Sequence, residues 1–157
     1  MKKKILVNKI YAGMKLIKNE KKMKKKSKKD LFTQKRNYPS LIQSKNIGKI
    51  TSKLNFDWSG HKSVLIKIKE ELNELEKEIS KKNKNKKRVD EEYGDLLFTI
   101  AQLSRHLDVD PEASLIKANN KFKRRFYLLL KEFKNKEIFK KSSSDEKEKM
   151  WKKIKKL

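Results

Sequence analysis

The chain has no cysteine, two prolines and four glycines among its 157 residues. Without cysteine there is no disulfide framework and no thiolate ligand for zinc, and the composition fits a reducing, cytoplasmic setting. So few breakers leave long uninterrupted segments, while the two-residue alternation of strands is missing, so the expected class is all-α. No apolar run is long enough to span a membrane. The opening MKKKILVNKIYAGMKLI is interrupted at Asn8 and Lys9, which also makes it a poor secretory signal. Acids are scarce too, 20 against 45 lysines and arginines, for a net charge of +25.

A charge this high invites a nucleic-acid reading through counterion release. Its make-up argues otherwise. The arginines are Arg36, Arg88, Arg105, Arg124 and Arg125 alone, whereas nucleic-acid surfaces favour Arg forks and interleaved aromatics. Lys, Asn and Ile are raised together, as A+T-rich coding would produce. Non-specific contact at low salt is expected, but no specific nucleic-acid partner.

The acids that are present stand in unusual places. EELNE (70–74) and EEYGD (91–95) set Glu71 with Glu74 and Glu92 with Asp95, each pair three residues apart and hence on one helix face within about 6 Å. The usual i,i+4 cationic partner is expected to be absent: Glu74 follows Glu70, Glu78 follows Glu74, Asp95 follows Glu91, Leu75 follows Glu71 and Leu96 follows Glu92. Stacked carboxylates cost a few tenths of a kcal/mol per pair, and a hard divalent cation reverses that sign. With oxygen ligands only, the ion indicated is Mg²⁺, with Mn²⁺ as a substitute, an ion commonly held by carboxylates together with substrate phosphates. A solvated acidic face is the plain alternative for a single EExxE. Here each cluster adjoins an apolar stripe: Val64, Ile68, Leu72, Leu75 and Ile79 in one helix, Leu96, Leu97, Ile100, Leu103 and Leu107 in the other. Gly94 lies inside the second, at a cost of about 1 kcal/mol relative to Ala, which suggests close approach by a neighbouring helix or by phosphates.

Periodicity predicts helices near 39–54, 61–80, 89–107, 111–135 and 144–156. Asp110-Pro111-Glu112 is a strong start signal, and Ser143 with Glu146 is a capping box. Residues 1–37 are expected to be a basic, flexible linker ahead of a domain over 38–157; KKMKKKSKK (21–29) is its most charged stretch.

The pair EELNE and EYGDLLF (92–98), followed by RHLDVDPEASLIKANNKFKRRF (105–126), MWKKIK (150–155) and, upstream, YPSLIQSKNIGKITSKLNFDW (38–58), resembles the MazG family of all-α nucleoside triphosphate pyrophosphohydrolases. The resemblance covers roughly 38–157 and follows the second, catalytic half and connector of longer members. It implies a four- to five-helix bundle that pairs as a homodimer and hydrolyses nucleoside triphosphates to monophosphate and pyrophosphate. Glu71, Glu74, Glu92 and Asp95 would hold Mg²⁺. Glu70 or Glu91 would be the base or orient the water, a choice the sequence leaves open. Lys67 and Arg88, one turn before the acids, and Lys121 and Arg125, one turn apart, match basic substrate-contacting positions, although Arg88 stands where the family often has Lys. Trp151 and Lys155 also match. Plainer roles stand beside these: a solvated face for Lys121 and Arg125, a buried docking stripe for Trp151 with Met150, Ile154 and Leu157, packing for Trp58, and a helix-end position for His106. His61 has no evident catalytic partner. Phe122, Phe126, Leu129 and Phe133 add an apolar stripe suited to burial between subunits.

Overall fold

Local signals place the helix boundaries. Pro39 precedes α1, Ser40–Ser52, with its fixed φ of −53°. The α2 helix, His61–Ser80, follows Gly60, whose φ of 148° only glycine adopts readily. The α3 helix, Lys86–His106, begins three residues earlier than periodicity suggests, because Asn85 Oδ1 accepts from the backbone N–H groups of Lys87 (3.1 Å) and Arg88 (3.4 Å). Asp110 caps α4, Pro111–Glu132, by accepting from the Ala113 N–H at 2.8 Å. The helix expected to run to 135 stops at Glu132, and a short helix that periodicity did not indicate follows. Lys134 takes φ 65° and Asn135 caps a new short helix, α5, Lys136–Lys141, through the Ile138 N–H at 2.8 Å. The predicted capping box of Ser143 and Glu146 opens α6, Ser144–Ile154. A computed structural model describes residues 31–32 and 38–156, and all of its regular structure is helical. Apart from residues 31 and 32, the expected basic linker 1–37 lies outside the described residues.

The α2 and α3 helices are joined by the short 81–85 connection and pack along each other as an antiparallel hairpin. Across α3 lies α1, held by Gln102, which is fully buried and donates to the Ser44 carbonyl at 2.6 Å. Gly48 permits this approach: a Cβ there would lie 1.7 Å from Gln102 Oε1. The Arg105 guanidinium forks onto Asp57 in the turn before α2, its Nη1 donating to Oδ2 at 2.7 Å and its Nη2 to Oδ1, while His106 Nε2 stands 3.4 Å from Oδ1. The two ends of the α2–α3 unit are thereby tied together. The α4 helix pairs chiefly with α6, where Phe122 meets Trp151 at 5.4 Å, and also meets α5 through Phe126 and Phe139 at 5.7 Å.

Apolar burial differs from the expected stripes. Leu72, Ile79, Ile100 and Leu107 are each more than two-fifths exposed, as is Phe122. The buried positions of α3 are Glu92, Thr99, Ala101, Gln102 and Ser104. The fully buried part of its inner face is thus largely polar, with Gln102 bonded to α1 and Leu96, Phe98 and Leu103 half-buried. Of the two approaches expected at Gly94, that of a neighbouring helix is not seen: outside its own helix backbone and chain neighbours, no described atom lies within 4 Å of an added Cβ.

Candidate metal centre

The hairpin brings the acid clusters together. Glu71, Glu74 and Glu92 each offer a carboxylate oxygen, all within 4.8 Å of one another. Glu71 and Glu92 are buried, and Asp95 adds its charge to both. The α2 pair arises because positions 71 and 74 share a helix face, and the α3 pair likewise; the antiparallel packing of the hairpin supplies the rest.

Burial pushes the Glu71 carboxyl above its ordinary range; Lys67 pulls it back in part, while Asp95 and Glu74 add to the rise. Burial likewise raises Glu92, opposed by Arg88 and reinforced by the charges of Glu74 and Asp95 and a hydrogen bond with Glu74. Asp95 is raised by desolvation first, with Glu74 and Glu91 adding and Lys67 and Arg88 opposing. An all-oxygen set of mutually repelling, partly desolvated carboxylates fits a hard divalent cation such as Mg²⁺. It does not fit a thiolate- or imidazole-seeking metal.

Read toward the N-terminus, the acids do have cationic partners. Lys67 Nζ lies 3.0 Å from Glu70 Oε1 and 2.6 Å from Glu71 Oε1, and Arg88 lies 2.8 Å from Glu91 Oε2 and 2.5 Å from Glu92 Oε1. The forward count at i+4 overlooked them because both cations precede their acids. Partial burial works against the charged form of Lys67, but Glu71 and Glu70 outweigh it and hold the ammonium protonated. Glu78, one turn beyond Glu74, is a further buried acid, bound at 2.7 Å by Lys81.

The remaining basic residues lie elsewhere in the fold. Lys121 lines a surface cavity on α4 with Lys117, Asn120 and Arg124, and Arg125 lines another with Arg124, Leu128 and Ile154. Arg125 Nη2 donates to the Lys155 carbonyl at 3.2 Å, and half-buried Trp151 tilts onto Phe122. Among the described residues no hydrogen bond or ion pair joins Lys121, Arg125, Trp151 or Lys155 to the acids. His106 ends α3 against Asp57, and His61 is exposed at the start of α2. No local signal marks the Asp57–Arg105 fork or the Gln102 tie, since their partners lie 48 and 58 residues away.

Residues 59–126 match the MazG nucleotide pyrophosphohydrolase domain. Over 88 residues the chain is 46% identical to the nucleoside triphosphate pyrophosphohydrolase/pyrophosphatase MazG of Thermotoga maritima, an alignment covering 56% of this chain and 32% of that protein. Over 117 residues it is 35% identical to the nucleoside triphosphate pyrophosphohydrolase of Escherichia coli K12, covering 74% of this chain and 44% of that protein. The chain therefore spans less than half the length of these relatives.

Proposed function

We propose that the chain, whose residues 59–126 match the MazG nucleotide pyrophosphohydrolase domain, is a member of that family and hydrolyses ribo- or deoxyribonucleoside triphosphates to the monophosphate and pyrophosphate, as a Mg²⁺-dependent enzyme of nucleotide-pool upkeep in the cytoplasm. The convergence of Glu71, Glu74 and Glu92 within 4.8 Å on two packed helices carries this proposal. Together with Asp95 they would hold Mg²⁺, or Mn²⁺ in its place. When bound, the ion neutralises triphosphate charge and acidifies a water.

The chain's own groups divide the remaining work. Glu70 and Glu91 face outward beside the buried acids, each with one oxygen on a cation, and either would take the proton of the attacking water as the α–β phosphoanhydride bond breaks. Lys67 and Arg88 stand next to the metal ligands, where phosphate oxygens would arrive. Lys121, Arg125 and Lys155 offer cations, and Trp151 a ring, on the α4–α6 pair. Those four reach the acids across a homodimer in which the exposed leucines and isoleucines of α2 and α3 are covered by a second copy. No described helix is long and apolar enough to cross a membrane, and none is assigned a membrane role.

The test is turnover of the eight common ribo- and deoxyribonucleoside triphosphates with Mg²⁺ and with EDTA. Metal-dependent turnover of one or more is expected; no turnover of any of them with Mg²⁺ present would count against the activity. Light scattering at micromolar concentration is expected to give about twice the 18.8 kDa chain mass. Full activity from a monomer on dilution would refute the shared site.

A further inference from the structure

The two acid helices carry the same charge register. On α2 it is Lys67, Glu70, Glu71, Glu74; on α3 it is Arg88, Glu91, Glu92, Asp95. In both, a cation spans a carboxylate pair three and four residues on, and a further acid follows after three more. In both, the inner carboxylate of the bridged pair is a buried metal-ligand candidate, Glu71 or Glu92, and the outer one, Glu70 or Glu91, faces solvent. The Lys67 ammonium and the Arg88 guanidinium each engage Oε1 of the buried acid, at 2.6 and 2.5 Å. Exposed i,i+4 pairs are worth little. These differ, because the carboxylate is out of water among like charges, and an unneutralised charge there is costly.

We propose that Lys67 and Arg88 are built-in counter-ions that hold Glu71 and Glu92 against a bare divalent cation and release them when a triphosphate arrives to receive the two side chains, so that metal and triphosphate load together. This rests on the metal site proposed above and describes its regulation. An ammonium or guanidinium leaves a buried carboxylate readily only for another anion within reach, and phosphate oxygens provide one. A bare metal ion would instead place a double positive charge beside two cations that have lost their partners. The counter-ions thereby lower the affinity for metal alone and strengthen the coupling between metal and nucleotide.

The experiment is calorimetric Mn²⁺ titration of the nucleotide-free protein, its Lys67→Met, Arg88→Met and Lys67→Arg variants, and Lys69→Met. Lys69 is exposed on the same helix and undergoes the same charge change. Lys67→Met and Arg88→Met are expected to bind Mn²⁺ roughly tenfold more tightly, with Lys69→Met and Lys67→Arg unchanged. A non-hydrolysable triphosphate analogue should then tighten Mn²⁺ binding less in the two Met variants than in the wild type. Arg88 is half-exposed in the first turn of α3, so its variant reports even if Lys67→Met leaves Glu71 too poorly compensated to fold. Saturable binding with unchanged affinity in Arg88→Met, or equal tightening in Lys69→Met, overturns the counter-ion role alone. No saturable Mn²⁺ binding by any of the proteins overturns the metal site and the counter-ion role with it.

Discussion

The α2–α3 hairpin and the α4–α6 pair are built by opposite means. The hairpin gathers charge inward, burying Glu71, Glu78 and Glu92 and balancing them with Lys67, Lys81 and Arg88. The α4–α6 pair is joined by rings, Phe122 on Trp151 with Phe126 and Phe133 around Phe139, and its cations Lys121 and Arg124 line open surface. Buried mutual repulsion among acids weakens a fold unless a ligand relieves it, whereas aromatic contacts are self-sufficient. The hairpin therefore carries a repulsion that the proposed metal would relieve, and the α4–α6 pair combines ring contacts with a cationic surface. The hairpin supplies the clustered buried acids and the α4–α6 pair supplies exposed cations, and the proposed chemistry draws on both.

The largest effect should come from unbalancing the hairpin. Glu74→Gln or Asp95→Asn is expected to lower Mg²⁺-dependent turnover by at least about 100-fold. The melting temperature without metal should stay level or rise, because each change removes one of several repelling charges. Retained activity in either variant would remove the distinction between the two regions. Arg125→Met, by contrast, should raise KM for the triphosphate and leave metal binding in place.

The glycines sharpen the contrast in stability. Gly48→Ala forces a methyl into Gln102 and is expected to cost about 1–3 kcal/mol in denaturant unfolding. Gly94→Ala meets open space and should stabilise α3 by about 1 kcal/mol. If the Gly94 variant is stable but inactive, the space beside that glycine is used by a phosphate or a second subunit.

A smaller effect is tied to pH. Partial burial works against the ionised Asp57, but the Arg105 hydrogen bonds and charge, with the Trp58 N–H and His106, outweigh it and hold its carboxyl below the ordinary value. A lowered carboxylate contributes stability above its unfolded value, near 3.9, and loses it as pH falls through the folded value. Asp57→Asn should therefore cost about 1–3 kcal/mol at neutral pH, with wild-type and variant melting curves converging below about pH 4. The metal-free acid site has the opposite sign. Glu71, Glu92 and Asp95 are raised, so their contribution is present at low pH and is lost as pH climbs through their folded values.

What could be read from the chain follows the range of the forces involved. The pairs Glu71/Glu74 and Glu92/Asp95 and the caps at Asp110 and Ser143 depend on spacings of three residues, which a helix fixes by itself. The start of α3 depended on Asn85, and the break after α4 on Lys134 adopting a left-handed backbone, local choices that periodicity does not register. The polar inner face of α3 was hidden further, because Gln102 is buried only once Gly48 of another helix lies against it. Leucine spacing suggested a seam, and one chain leaves half of its residues exposed.

The most direct measurement is ³¹P NMR of a triphosphate turned over by the full chain with Mg²⁺, followed from the first time points. Nucleoside monophosphate and pyrophosphate should accumulate in equal amounts, without orthophosphate. Diphosphate with orthophosphate would place the cut at the other phosphoanhydride and contradict the proposed activity.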